Sequence, residues 1–190
     1  MYEAGYNKLF WGMIFIIFDF NLGGINLLPD FIGYFLLYAG LISLQQQHEF
    51  YKKAKAPLIF LLSISLVKAI SYFSIGYIVN QKENTNLFSL LIGSFTSLVT
   101  AYLIYILCRS IYLLAVSRRE EELKNNVEYS FKYYFITTAA FAAYLPFSIN
   151  LSQDLYAIGS VIALINIIFT IPIAVLFKKS VNLLGDGLND

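Results

Sequence analysis

Charge is scarce in this chain, and so are the residue types on which much familiar chemistry rests. Charged residues fill 13% of the 190 positions, against roughly 25% in an ordinary soluble domain. That shortfall excludes a water-covered globule of average composition and points to lipid as the main solvent. Net charge is +1, so no broad positive field exists to hold nucleic acid. One cysteine, Cys108, excludes an intramolecular disulfide, and one histidine, His48, excludes a cluster of imidazole ligands. No G-x-x-x-x-G-K-[ST], H-E-x-x-H or G-x-S-x-G occurs, which argues against the common hydrolases.

What the chain does have is apolar length. Hydrophobic residues make up 58% of it, with 17 Phe and 15 Tyr. Four runs stand out, Leu9–Leu28, Pro57–Val79, Leu87–Val116 and Leu155–Phe177, and two more, Phe31–Leu44 and Tyr133–Leu151, are shorter or more polar. About 20 consecutive apolar residues cross a bilayer as one helix. The expected fold class is therefore all-α: one integral membrane domain over residues 1–190, polytopic, with six transmembrane helices arranged as three helical hairpins. The first run lacks a small-x-small cleavage site and reads as a retained helix.

The basic residues choose an orientation. Lys8, Lys52, Lys53, Lys55, Arg118, Arg119, Lys124, Lys132, Lys178 and Lys179 fall at one end of this pattern, whereas Lys82 falls at the other. By the positive-inside rule, the N- and C-termini and the basic loops are cytoplasmic.

Two outer turns share I-N-L-x-x-D, at Ile25–Asp30 and Ile149–Asp154, and Asn86-Leu87 occupies the corresponding place in the middle hairpin. Gly33, Gly93 and Gly159 follow the three Asn residues at similar distances. A threefold hairpin repeat would give this pattern, as internal repeats do in transporters. Simple capping of helices by Asn, Ser and Asp would give it too. Ser89, Gly93, Ser97 and Ala101 recur every fourth residue and form a stripe for close helix approach.

Few polar residues interrupt the runs, and these are the candidate ligand-binding or buried polar groups. Lys68 lies eleven residues beyond Pro57, about 16 Å along a helix, which is near the bilayer midplane. An unpaired ammonium at that depth costs at least about 3 kcal/mol, so Lys68 is expected to face the bundle or a wet cavity. Ser65, Ser71 and Tyr72 stand three or four residues away and share its face. Asp19, eleven residues beyond Lys8, is the expected partner at matching depth. The pair reads equally as a ligand, ion or proton site and as a device that fixes helix register. Asn166, about mid-way along the last span, is expected either to join that pocket or to hydrogen-bond a neighbouring helix. Asp30 sits by a helix N-terminus after Pro29. Arg109 is expected to snorkel to the inner interface. No catalytic residue, metal ligand or cofactor is indicated.

The segment Asp19-Phe20-Asn21 through Leu27-Leu28-Pro29-Asp30-Phe31-Ile32-Gly33-Tyr34 resembles a hairpin of uncharacterised small multi-pass membrane proteins of Gram-positive bacteria. The resemblance covers the first quarter of the chain and implies a bacterial plasma membrane, with no activity attached. Size and topology are also similar to the substrate-binding S-components of energy-coupling-factor vitamin transporters. That family usually presents an Ala-rich first helix to its membrane partner, where this chain has the bulkier Leu9-Phe10-Trp11-Gly12-Met13-Ile14-Phe15-Ile16. The functions expected are small-molecule binding or transport around Asp19 and Lys68, a non-catalytic accessory or immunity role through another membrane protein, or an S-component-like role. An enzyme is not expected. The partners expected are the bilayer, a small-molecule ligand of unknown identity and another membrane protein, with no nucleic acid.

Overall fold

The computed structural model describes residues 2–18, 21–22, 25–26, 30–75, 87–150 and 153–186. Six helices fill most of that length: α1 (Glu3–Ile17), α2 (Asp30–Leu44), α3 (Lys55–Ile75), α4 (Leu87–Ser117), α5 (Glu121–Phe147) and α6 (Gln153–Leu184). The chain is all-α apart from a two-residue antiparallel pair, β1 (Asn21–Leu22) and β2 (Ile25–Asn26). Short 3-10 helices at Glu49–Ala54 and Ser148–Asn150 complete it. Leu90–Ser117 and Ile158–Leu184 are long and apolar enough to cross a membrane, and Asp30–Leu44 is a shorter apolar helix.

The first helix is shorter than its apolar run. It stops at Ile17, where the Phe18 N–H donates to the Ile14 carbonyl, and β1 then pairs with β2 in the register Asn21–Asn26, Leu22–Ile25. A Gly-Gly step between short apolar runs favours a hairpin, and each glycine costs a helix about 1 kcal/mol. Gly23 and Gly24 themselves, like Asp19, lie outside the described residues. The turns that share I-N-L-x-x-D also differ in backbone: Asn26 is in a strand and Asn150 in a 3-10 helix. Asn86 lies outside the described residues.

The helices make a ring in chain order. α1 packs on α2 and α6, α5 lies between α4 and α6, and α2 carries α3. The seam between α3 and α4 is the slack one. There the Glu49–Ala54 helix packs against α4 instead, with Tyr51 and Ala54 fully buried. Leu9, Leu37, Leu41, Leu58, Leu103 and Phe177 fill the interior. The outward faces carry large apolar side chains, Phe88, Val67 and Leu164 among them, each at least 60% exposed.

The tightest seam is built from glycine. Gly5 and Gly12 on α1, and Gly33 and Gly40 on α2, are each seven residues apart, so each pair lines one helix face. A Cβ at Gly12 or at Gly33 would lie 2.8 Å from the other's carbonyl oxygen, and one at Gly40 would lie 2.7 Å from Gly5 O. The two backbones therefore touch directly, and no side chain larger than hydrogen fits between them. Gly12→Leu and Gly40→Leu should each destabilise the protein by about 1–3 kcal/mol through overpacking, read as a lower melting temperature in detergent. Gly93→Ala should be tolerated, because the nearest neighbour there is Leu145 Cδ1 at 3.5 Å.

Candidate functional site

Where α3 and α4 part, they leave a lateral cleft of about 620 Å³. Phe60, Ile64, Val67 and Lys68 line it from α3, and Ile92, Gly93 and Phe95 from α4. Phe60 and Phe95 meet edge-to-face, with ring centroids 5.8 Å apart, and bridge the two helices at the end of the cleft nearer the start of α3. Gly93 contributes width simply by having no side chain. Ser63 also lines the cleft, but its hydroxyl donates back to the Ile59 carbonyl at 2.9 Å. Lys68 is thus the one charged group among the cleft's described lining. Its side chain is exposed. The ion pairs Lys124–Glu121 and Lys179–Glu122 lie elsewhere and do not engage it.

The other sequence candidates lie apart from this cleft. Ser65 turns to the bundle interior, 6% exposed, and donates to the Leu62 carbonyl at 2.9 Å. The side chains of Ser71 and Tyr72 fall outside the described set, as does Asp19, so its pairing with Lys68 falls there too. Asp30 occupies the first turn of α2, one helical turn from Tyr34. Asn166 belongs to the α5–α6 seam: its amide donates to Thr138 Oγ1 at 2.7 Å and Thr137 Oγ1 at 3.3 Å.

Asn166 is one part of a neutral polar thread through the interior. The buried Tyr134 lies near Thr138 and Tyr34, and Tyr34 lies near Thr100 of α4. Such hydroxyl and amide groups sit in an apolar core without a net charge to desolvate. Sequence reading picked out Asn166 and passed over Tyr34, Tyr134 and Thr100. The available signal was Tyr134 standing one turn before Thr138.

The basic end holds a second polar arrangement. α6 ends with carbonyls that lack helical partners, and three other parts of the chain supply donors. Arg118 donates to Leu183 O at 3.0 Å and Asp186 O at 2.6 Å. Gln47 Nε2 donates to Leu184 O at 2.7 Å, and the Tyr2 N–H to Gly185 O at 2.9 Å. Gln47 in turn accepts from Tyr6 at 2.8 Å, and the Tyr51 hydroxyl donates to that of Tyr6 at 3.3 Å. Arg118 reaches α6 because the α4–α5 turn is closed by Arg119 at φ 60°. Arg119 N–H bonds to Val116 O and Glu120 N–H to Ala115 O, a left-handed helix end usually made with glycine. In sequence the Arg118–Glu122 stretch reads as a solvated helix extension. In the fold Arg118 is a clasp.

No family model, curated protein or solved structure matches this chain.

Burial, reinforced by the adjacent Tyr6, raises the Tyr51 phenol well above the ordinary tyrosine value. The folded state keeps that phenol neutral, whereas the unfolded chain ionises it first. Stability present below about pH 10 is therefore lost as pH climbs beyond it. Melting temperature in detergent should fall steadily from that point upward, and Tyr51→Phe should blunt the fall. An unchanged alkaline profile in the variant would assign the loss to other groups.

Proposed function

We propose that this chain is a six-span protein of a bacterial plasma membrane, with both termini cytoplasmic, and that it binds a small amphipathic anion in the α3–α4 cleft. The observation that carries this reading is Lys68 standing as the single charged group among the described lining of a largely apolar cleft of about 620 Å³. That volume falls within the range of about 300–1,000 Å³ typical of small-molecule sites. An ammonium at this position is costly in lipid without a counter-charge. An anion with a hydrocarbon body offsets that cost with its head and covers Phe60, Ile64, Val67 and Ile92 with its tail. A neutral analogue gains the apolar cover but not the contact with the ammonium, and a cation is repelled by it.

Support for the membrane setting comes from the two described stretches long and apolar enough to span, together with the large apolar side chains on the outer faces. The clasp also gathers the N-terminal residues, the α2–α3 and α4–α5 connectors and the end of α6 at one end. These are the same segments that hold the basic residues. Binding is favoured over passage, because Phe60 and Phe95 bridge the cleft where a route to the basic end would start.

Two measurements test the reading. A fluorescent protein fused after Asp190 should report a cytoplasmic C-terminus, while a phosphatase fused after Glu83 should be active outside. Native mass spectrometry of the purified protein with dodecanoate and dodecanol should show the acid bound at least about tenfold more tightly, the size of one charge-assisted contact. Lys68→Met should erase that difference and Lys68→Arg should keep most of it. Equal binding of acid and alcohol by the native chain would reject the cleft as an anion site.

A further inference from the structure

On the opposite flank of α4 a second groove runs between α4 and α5. Its inner end is a pocket of about 120 Å³ lined by Tyr105, Arg109 and Tyr112 of α4 and by Glu128 and Phe131 of α5. A hollow of about 330 Å³ continues from it, sharing Tyr105 and Phe131 and reaching Phe135 and Leu98. Arg109 to Leu98 is eleven residues, about 16 Å of helix, which is the length scale of a lipid tail. Aromatic rings pave the groove: Tyr105 lies 5.6 Å from Phe131, and Phe131 lies 5.8 Å from Phe135.

The informative feature is at the charged end. Arg109 and Glu128 line one small pocket, are both exposed, and do not close into an ion pair. Arg109 instead rests on the Tyr112 ring, 4.8 Å from its centroid. Lys124, one turn from Glu128, is occupied with Glu121 at 2.7 Å. The pocket therefore offers a cation and an anion side by side, each open to a guest. Arg109 is eight residues, about 12 Å, from the end of α4 at Ser117, a depth suited to headgroup contact on the basic side.

We propose that this groove binds one phospholipid of the inner leaflet whose headgroup carries both a phosphate and a primary amine. Arg109 takes the phosphate through its planar fork, Glu128 takes the ammonium, and the acyl chain lies along Tyr105, Phe131 and Phe135. A purely anionic headgroup satisfies Arg109 but meets repulsion from Glu128. A choline headgroup satisfies the charge pattern but brings no N–H donor for the carboxylate. The proposal rests on the membrane reading above and is independent of the Lys68 cleft.

The test is native mass spectrometry of the full chain, stripped of lipid in detergent and titrated with phosphatidylethanolamine, phosphatidylglycerol and phosphatidylcholine. Phosphatidylethanolamine should be retained best, by about fivefold, as expected for one partly exposed charge contact. Glu128→Gln should remove its advantage over phosphatidylcholine, and Arg109→Gln should lower retention of all three. Both side chains are exposed, so the variants should melt as the native protein does. Lys68→Met should leave lipid retention unchanged, which separates this site from the cleft. Preferential retention of phosphatidylglycerol, or a preference untouched by Glu128→Gln, overturns the proposal. Extraction of the chain from membranes by alkaline carbonate would overturn the membrane reading beneath both sites.

Discussion

A ring of helices made from one chain has to join its last member to its first, and that junction falls where α6 runs out of hydrogen-bond partners. Unpaired carbonyls away from water carry a cost comparable to a lost hydrogen bond. Here they are met by Arg118, Gln47 and the Tyr2 backbone. Each donor comes from a different part of the chain, so satisfying one helix end fixes four segments relative to one another. Lys178 adds a side link, donating to Asn7 at 3.0 Å and lying 5.5 Å from the centre of the Phe10 ring. The core above can then be ordinary aliphatic packing, because its boundary is set by polar geometry.

Seam quality varies around the ring, and the cleft follows the variation. α1 and α2 meet backbone to backbone through four glycines. In the last hairpin Gly159 sits against the Tyr144 ring, so it too faces the helix before it. Gly93 breaks the pattern: its close neighbour is Leu145 on α5, the helix after it, and it lines open space toward α3. Ser94 ties α4 to α5 as well, donating to Ala142 O at 2.6 Å. α4 is committed to α5, and the cleft is what remains on its other side.

Much of this was legible in the sequence, for identifiable reasons. Apolar runs bounded by charge gave the six helices, since helix is the inexpensive way to pair backbone in an apolar setting. Lys68 announced itself as a lone cation in such a run. Gly23-Gly24 signals a loosened end to the first helix just before its turn, and the helix ends sooner still, at Ile17. The glycine seam was also available, as Gly5, Gly12, Gly33 and Gly40 at spacings of seven, a sparser signal than the every-fourth-residue stripe of Ser89, Gly93, Ser97 and Ala101. The cleft was not legible at all. Its existence depends on which neighbour α4 prefers and on Tyr51 packing beside it, facts of assembly that no local pattern carries. Arg118 was hidden for a related reason: a basic residue in a basic loop looks solvated until the left-handed turn at Arg119 aims it.

The clasp also imposes an order of events during synthesis. Leu183 to Asp186, the acceptors for Arg118 and Gln47, emerge from the ribosome after all five earlier helices. Until they do, Arg118, Gln47 and the amide of Tyr2 have no acceptors on α6, and α1 has no neighbour on its α6 side. A nascent chain arrested before this point carries a bundle whose last-to-first junction is open and whose donors there lack these acceptors.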